Sequence, residues 1–111
     1  ITFDYWRYKG DLERKRQYLS KFARELEPKR ERLESLSKRL TSDFFYLVNS
    51  LNIRHNNAAE DSKKYFEPLG SMSDHELESW YDTLRNMAAS LFLLDDYSGF
   101  AESISKLKQK Q

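Results

Sequence analysis

The sequence predicts an all-α fold, an antiparallel bundle of three to five helices with one long loop near residues 52–72. Three observations predict it. Apolar residues return at steps of three, four and seven along most of the chain, the spacing that lines one face of an α-helix. There are only 3 Gly and 2 Pro in 111 residues, too few for the turns of a sandwich or barrel. Aromatic residues make up 14% of the chain, with 2 Trp, 7 Tyr and 7 Phe, which is bulk enough for a core. The length suits a single domain over 1–111. A start at Ile1 with no initiator Met leads us to expect a fragment of a longer chain.

The elements follow in order. Phe3, Tyr5, Trp6 and Tyr8 can cover one end of the bundle or begin its first helix. Leu12, Leu19, Leu26, Leu33, Leu40 and Leu47 then keep a heptad interval. Three residues on, the companions are Lys15, Phe22, Lys29, Leu36, Asp43 and Ser50, so half of a coiled-coil seam is polar. Two readings fit: a leucine-zipper dimer, or one apolar stripe of bundle helices packed inside a single chain. Phe44, Phe45 and Val48 widen the stripe, as a bundle requires. Pro28 interrupts the stretch, because an interior proline removes a hydrogen bond and clashes with the preceding turn. It predicts helices over about 10–27 and 29–51, or one kinked helix. The leucine phase survives across Pro28, which points to a kink or a tight continuation.

Periodicity stops over 52–72, where Asn52, Asn56, Asn57, Pro68 and Gly70 favour turns. Short helical turns fit at Ala58–Ala59 and Tyr65–Phe66. Ser73-x-x-Glu76 is a capping box that opens an amphipathic helix carrying Leu77, Trp80, Tyr81, Leu84, Met87, Ala88, Leu91 and Leu94. It should end near Asp95–Asp96, with Gly99 permitting a break. Phe100, Ile104 and Leu107 then mark a short last helix before a basic tail of Lys106, Lys108 and Lys110.

Several functional classes drop out. Without cysteine there are no disulfides, no Cys-ligated zinc, no iron–sulfur cluster and no thiol nucleophile. No P-loop, dinucleotide fingerprint, zinc-protease helix or hydrolase elbow is present. No metal and no cofactor is expected. The longest apolar run, Met87 to Leu94, is far shorter than the roughly 18 residues of a membrane span, so no membrane partner is expected. The composition suits a reducing, cytoplasmic setting.

The net charge of +1 hides an asymmetry. Residues 1–40 carry 12 Lys/Arg against 7 Asp/Glu, whereas 41–111 carry 7 against 11. Either a basic front half packs beside an acidic back half, or the front half presents a basic face to nucleic acid. The candidates for such a face are Arg14, Lys15, Arg16, Lys29, Arg30 and Arg32.

Arg54-His55-Asn56-Asn57 joins a fixed cation, a side chain that titrates near neutrality and two amides, at the point where a helix meets the loop. Arg54 can hold a phosphate, His55 can move a proton and an Asn can orient the substrate. The simpler reading is turn chemistry, with Arg54 paired to Glu60 or Asp61 and the Asn side chains capping helix ends. Trp80 and Tyr81 read as core and interface, and His75 as a polar residue in a capped first turn.

Around Arg54 the sequence resembles the HEPN superfamily of compact helical bundles. The family carries an Arg, often followed by Asn, and a His four to six residues further on. Arg54 fits the Arg, but residues 59–61 are Ala59, Glu60 and Asp61, and His55 is adjacent to Arg54. The resemblance covers about 40–95. It implies an RNA-binding or ribonuclease bundle, dimeric with its motif at the interface, of the kind found in bacterial and phage defence systems.

Three functions are therefore carried forward. The first is a helical protein-interaction module that self-associates or binds another protein. The second is a HEPN-like bundle using Arg54 and His55, with Asn56 and Asn57 in support. The third is a basic-helix nucleic-acid binder using Arg14, Lys15, Arg16, Lys29, Arg30 and Arg32.

Overall fold

The computed structural model describes residues 3–111 and is helical throughout its regular structure, with no strand among those residues. Ile1, Thr2 and the Phe3 side chain lie outside the description. A 3-10 turn over Phe3–Tyr8 precedes α1 (Leu12–Leu26), α2 (Arg30–Leu36), α3 (Lys38–Ser50), the single turn α4 (Glu67–Gly70) and the long α5 (Asp74–Gln109). Gly10 at φ 82° makes the turn into α1, in a left-handed region that suits glycine. Asp11 caps α1 by accepting from the Arg14 backbone N–H at 3.0 Å.

Pro28 does not end the run of helix. It lies in a 3-10 turn over Glu27–Lys29 that joins α1 to α2, so the chain continues tightly, as the leucine phase requires. The reversal comes later. A continuous second helix over 29–51 was expected, but the chain breaks at Ser37, which is extended at φ −153° and ψ 89°. No Gly or Pro marks the place. Ser37 satisfies both flanking ends: its N–H donates to the Leu33 carbonyl at 2.8 Å, and its own carbonyl accepts from the Thr41 N–H and hydroxyl. Beyond it α3 turns back, which brings the Arg30 guanidinium 4.5 Å from the centre of the Phe45 ring.

α3 ends beside α5, where the Tyr81 hydroxyl donates to the Leu51 carbonyl at 3.0 Å. The 51–73 connection then carries the chain into α5. Lys15 meets Glu78 and Asp82, Phe22 packs edge-on against Phe92, and Lys29 reaches Asp95. α1 and α5 therefore run in the same direction, with α3 antiparallel to both.

The heptad leucines face inward. Leu19, Leu26 and Leu33 are fully buried, and Leu12, Leu40 and Leu47 pack on the same core. With Phe22, Phe44, Phe45, Val48, Tyr81, Leu84, Ala88 and Leu91 they form one cluster. The stripe is thus the inside of a single chain and not a zipper surface. Tyr5 closes the amino-terminal end, with none of its surface exposed.

The two charge halves also meet. Lys15 is 2% exposed and lies 2.8 Å from both Glu78 and Asp82, while Lys29 and Arg32 share Asp95. A basic front packs beside an acidic back.

The largest departure is in α5. The break near Gly99 is not there, and the helix runs unbroken for 36 residues, about 54 Å at 1.5 Å per residue. That length sets the 60 Å long axis of the molecule. A mid-helix glycine costs only about 1 kcal/mol, less than the surrounding helix regains.

Candidate functional site

α5 uses two different faces. Up to Leu91 it buries Tyr81, Leu84, Ala88 and Leu91 in the bundle, with Leu77 and Met87 partly covered and Trp80 at the surface. From Leu93 a second apolar row runs along the opposite face, while Leu94 still packs on the core. Leu93, Tyr97, Phe100, Ile104 and Leu107 are spaced 4-3-4-3, which at 100° per residue confines them to an arc of about 80°. All five are open to solvent, at 68%, 56%, 65%, 42% and 65% exposure. One heptad back the same positions hold Asn86 and Ser90, so the seam begins in the last turn of α5 that still packs on the bundle through Leu94 and Asp95. It is flanked by Asp96 at one end and by Lys108 and Lys110 at the other. Glu102 and Lys106 pair at 3.3 Å along the outer side. A contiguous exposed apolar strip on a projecting helix is a surface built to be covered.

The residues nominated from the sequence fall into two groups. Arg16, Arg54, His55 and Asn56 line one shallow depression with Asn52 and Ile53. Arg16, on α1, reaches it by donating to the Ile53 carbonyl at 3.3 Å while also holding Glu13. That interaction with Glu13 raises the Arg16 pKa and lowers that of Glu13. Arg54 is held from three sides: its Nε donates to the Asn49 side chain at 3.0 Å, Glu27 is 3.5 Å away, and the Phe45 ring lies beneath. The carboxylate that Arg54 meets is Glu27, in place of the expected Glu60 or Asp61.

Asn57 does not join that depression. It is 1% exposed and works as the knot of the loop. Its amide donates to the carbonyls of Asn49 and Lys64, and its side-chain oxygen accepts from the Asn52 N–H at 2.8 Å. Asn52, at φ 61°, returns the bond through its own side chain. Asn56 caps the next turn by accepting from the Ala59 N–H. Arg14 lies apart, 5.5 Å from the Tyr8 ring centre. Of the other basic-face candidates, Lys15, Lys29, Arg30 and Arg32 are all held in ion pairs.

A third polar cluster lies at the amino-terminal end. The Lys15 ammonium lies between Glu78 and Asp82 and faces the Tyr5 and Trp6 rings at 5.0 and 5.7 Å. Tyr5 donates to Asp82 at 2.9 Å, and the Gly10 N–H donates to Glu78. Burial works to lower the Lys15 pKa, but the hydrogen bonds that its ammonium donates to Asp82 and Glu78 outweigh it and leave the pKa raised. The Lys15 and Gly10 hydrogen bonds hold Glu78 below the ordinary glutamate range. Burial and the bond to Asp82 push the Tyr5 hydroxyl up, and burial pushes Tyr81 up to about 12. These groups are mutually satisfied, so the cluster clamps the 3-10 turn and α1 onto α5.

Among the described residues, no group of three or more His, Asp or Glu side chains gathers around one point as metal ligands would, and no helix is long and apolar enough to cross a membrane. The chain matches no protein family, no curated protein and no solved structure. What it does must be read from its own geometry.

Proposed function

We propose that this chain is a helical protein-interaction module that self-associates through the exposed seam of α5. The observation that carries the reading is the five-residue apolar stripe from Leu93 to Leu107, at coiled-coil spacing on the face of α5 turned away from its own core. Covering side chains already about half exposed contributes about 1–2 kcal/mol each at roughly 25 cal/mol per Å². Ten such side chains across two copies give about 10–20 kcal/mol against an association cost of about 4–15 kcal/mol, and the midpoints leave about 5–6 kcal/mol, a dissociation constant on the order of 100 µM. The affinity suits a reversible assembly. Sedimentation equilibrium from about 1 to 300 µM should show the mass rising towards a dimer, a range chosen to bracket that constant. Phe100→Glu with Ile104→Glu should leave a monomer of unchanged helicity. Wild-type mass that stays monomeric throughout is the refuting result.

A second reading rests on a separate observation, the convergence of Arg16, Arg54, His55 and Asn56 on one depression. Two guanidinium groups beside an imidazole and an amide gather hydrogen-bond donors suited to a phosphate of RNA, which would compete with Glu13 and Glu27 for the two guanidiniums. Binding of a single-stranded RNA oligonucleotide, weakened by salt and lost in Arg54→Ala/His55→Ala, supports this use. No binding at low salt removes it.

A further inference from the structure

The chemistry around the α5 seam also specifies how its occupant lies. This step rests on the self-association proposed above and adds an orientation to it. In heptad terms Leu93, Phe100 and Leu107 occupy one core position and Tyr97 and Ile104 the other. The flanking positions are Leu94, Ala101 and Lys108 on one side, and Asp96, Ser103 and Lys110 on the other. The exposed segment is acidic where it leaves the bundle and basic at its far end.

We propose that the seam is covered by the same seam of a second copy, laid antiparallel about residue 102. In that register Phe100 of each copy faces Ile104 of the other, and Tyr97 faces Leu107, so large side chains meet smaller ones in every central layer, while Leu93 lies at each end of the seam opposite the terminal Gln111. Asp96 of each copy lies beside Lys110 of the other, giving two opposite-charge contacts. Ala101 meets Ala101 and Ser103 meets Ser103, so the smallest flanking side chains lie at the crossing point, where the helices come closest. The parallel arrangement covers Leu93 with Leu93 but fits worse in the central layers and in charge. It stacks Phe100 on Phe100 and Tyr97 on Tyr97, and gathers Lys106, Lys108 and Lys110 of both copies at one end. Like charges brought together in this way are what sets coiled-coil orientation.

The antiparallel arrangement puts the two bundles at opposite ends of a shared rod. Leu51, three residues before Arg54, lies against Tyr81, about 20 residues from the crossing point, so the two Arg54 depressions are roughly 60 Å apart along the rod. Each depression is then complete within one copy, and no composite Arg54 site forms across this interface.

Because the chain has no cysteine, single introduced cysteines report cleanly. Ser103→Cys should oxidise to a covalent dimer, whereas Gln109→Cys should not. Spin labels at Gln109 and Ser90, both on exposed positions, should give pair distances that grow away from residue 102, with axial offsets of about 21 and 36 Å at 3 Å per residue of displacement. Asp96→Lys or Lys110→Asp alone should weaken the dimer about fivefold, and the two combined should restore it. A dimer with equal distances at both labels, or one unaffected by the charge changes and not rescued by their combination, overturns the orientation while leaving self-association standing. A chain that stays monomeric overturns both.

Discussion

Replacing Lys15 tests how the amino-terminal segment is fastened to α5. Its ammonium is 2.8 Å from both Glu78 and Asp82, its stem is buried, and two aromatic rings flank it. Lys15→Met keeps the stem and removes the charge. Two charge-assisted hydrogen bonds would be worth about 3–6 kcal/mol together if both carboxylates were sealed from water. They are not sealed: the Glu78 side chain is 18% exposed and that of Asp82 34%, so both recover hydration. Each also keeps one donor, the Gly10 N–H for Glu78 and the Tyr5 hydroxyl for Asp82. The expected loss is therefore about 2 kcal/mol, and about 3–4 kcal/mol for Lys15→Ala, which also empties packed volume.

The pH dependence carries a sign of its own. The Glu78 pKa is lowered in the folded chain, so its stabilisation is complete above the ordinary value of 4.5 and disappears as pH falls through the depressed value. The Asp95 carboxylate, hydrogen-bonded by Lys29 and then Arg32, behaves alike below its ordinary 3.8. The raised Lys15 pKa gives stabilisation that is present below its ordinary 10.5 and is lost only at strongly basic pH. Urea denaturation of wild type and Lys15→Met at pH 7 and near pH 3 measures the outcome. The gap should be wide at neutrality and shrink in acid, as Glu78 takes up its proton and no longer needs a cation. A gap under about 0.5 kcal/mol at pH 7, the size of an ordinary surface change, would refute the reasoning.

Other expectations follow from single residues. Leu33→Ala should cost about 2–5 kcal/mol, and Leu33→Glu should unfold the chain, because the residue is fully buried. A folded Leu33→Glu monomer, seen by circular dichroism and mass, would return the leucine stripe to the surface. Asn57→Ala should cost about 2–3 kcal/mol by orphaning two carbonyls and the Asn52 N–H, with hydrogen exchange accelerating most over 49–66. Exchange unchanged in that segment contradicts the knot. Gly99→Ala should raise the helicity and exchange protection of 95–109 by about 0.5–1 kcal/mol, since a Cβ there meets nothing within 4 Å. Lower helicity would indicate a break at that glycine.

Much of the bundle was legible in the sequence because burial imposes period. The leucines at seven-residue spacing, Phe44 to Val48 and the Ser73 cap each carry their own local reason, and each lies where that reason puts it. Ser37 was not legible. An extended residue needs no Gly or Pro, and the leucine phase passes through it undisturbed because both flanking helices face the same core. The change of face in α5 was legible but ambiguous. A shift of apolar phase after Leu91 looks like the end of a helix, and Gly99 reinforces that reading. In the structure the helix continues and only its solvent relations change. The candidate sites divide in the same way. Chemistry-bearing residues can be named from sequence, but Arg16 reaching Ile53 depends on the fold, and so does the burial of Asn57.

The most direct measurement of the α5 seam is a residue-resolved dilution series by NMR on the uniformly labelled chain, across the concentrations over which the mass changes. Shifts that move with concentration should cluster at Leu93, Tyr97, Phe100, Ile104 and Leu107 and their flanking amides up to Lys110. Shifts that cluster instead around Arg54 and His55, or along the exposed side of α1, would contradict the assignment of α5 as the binding face.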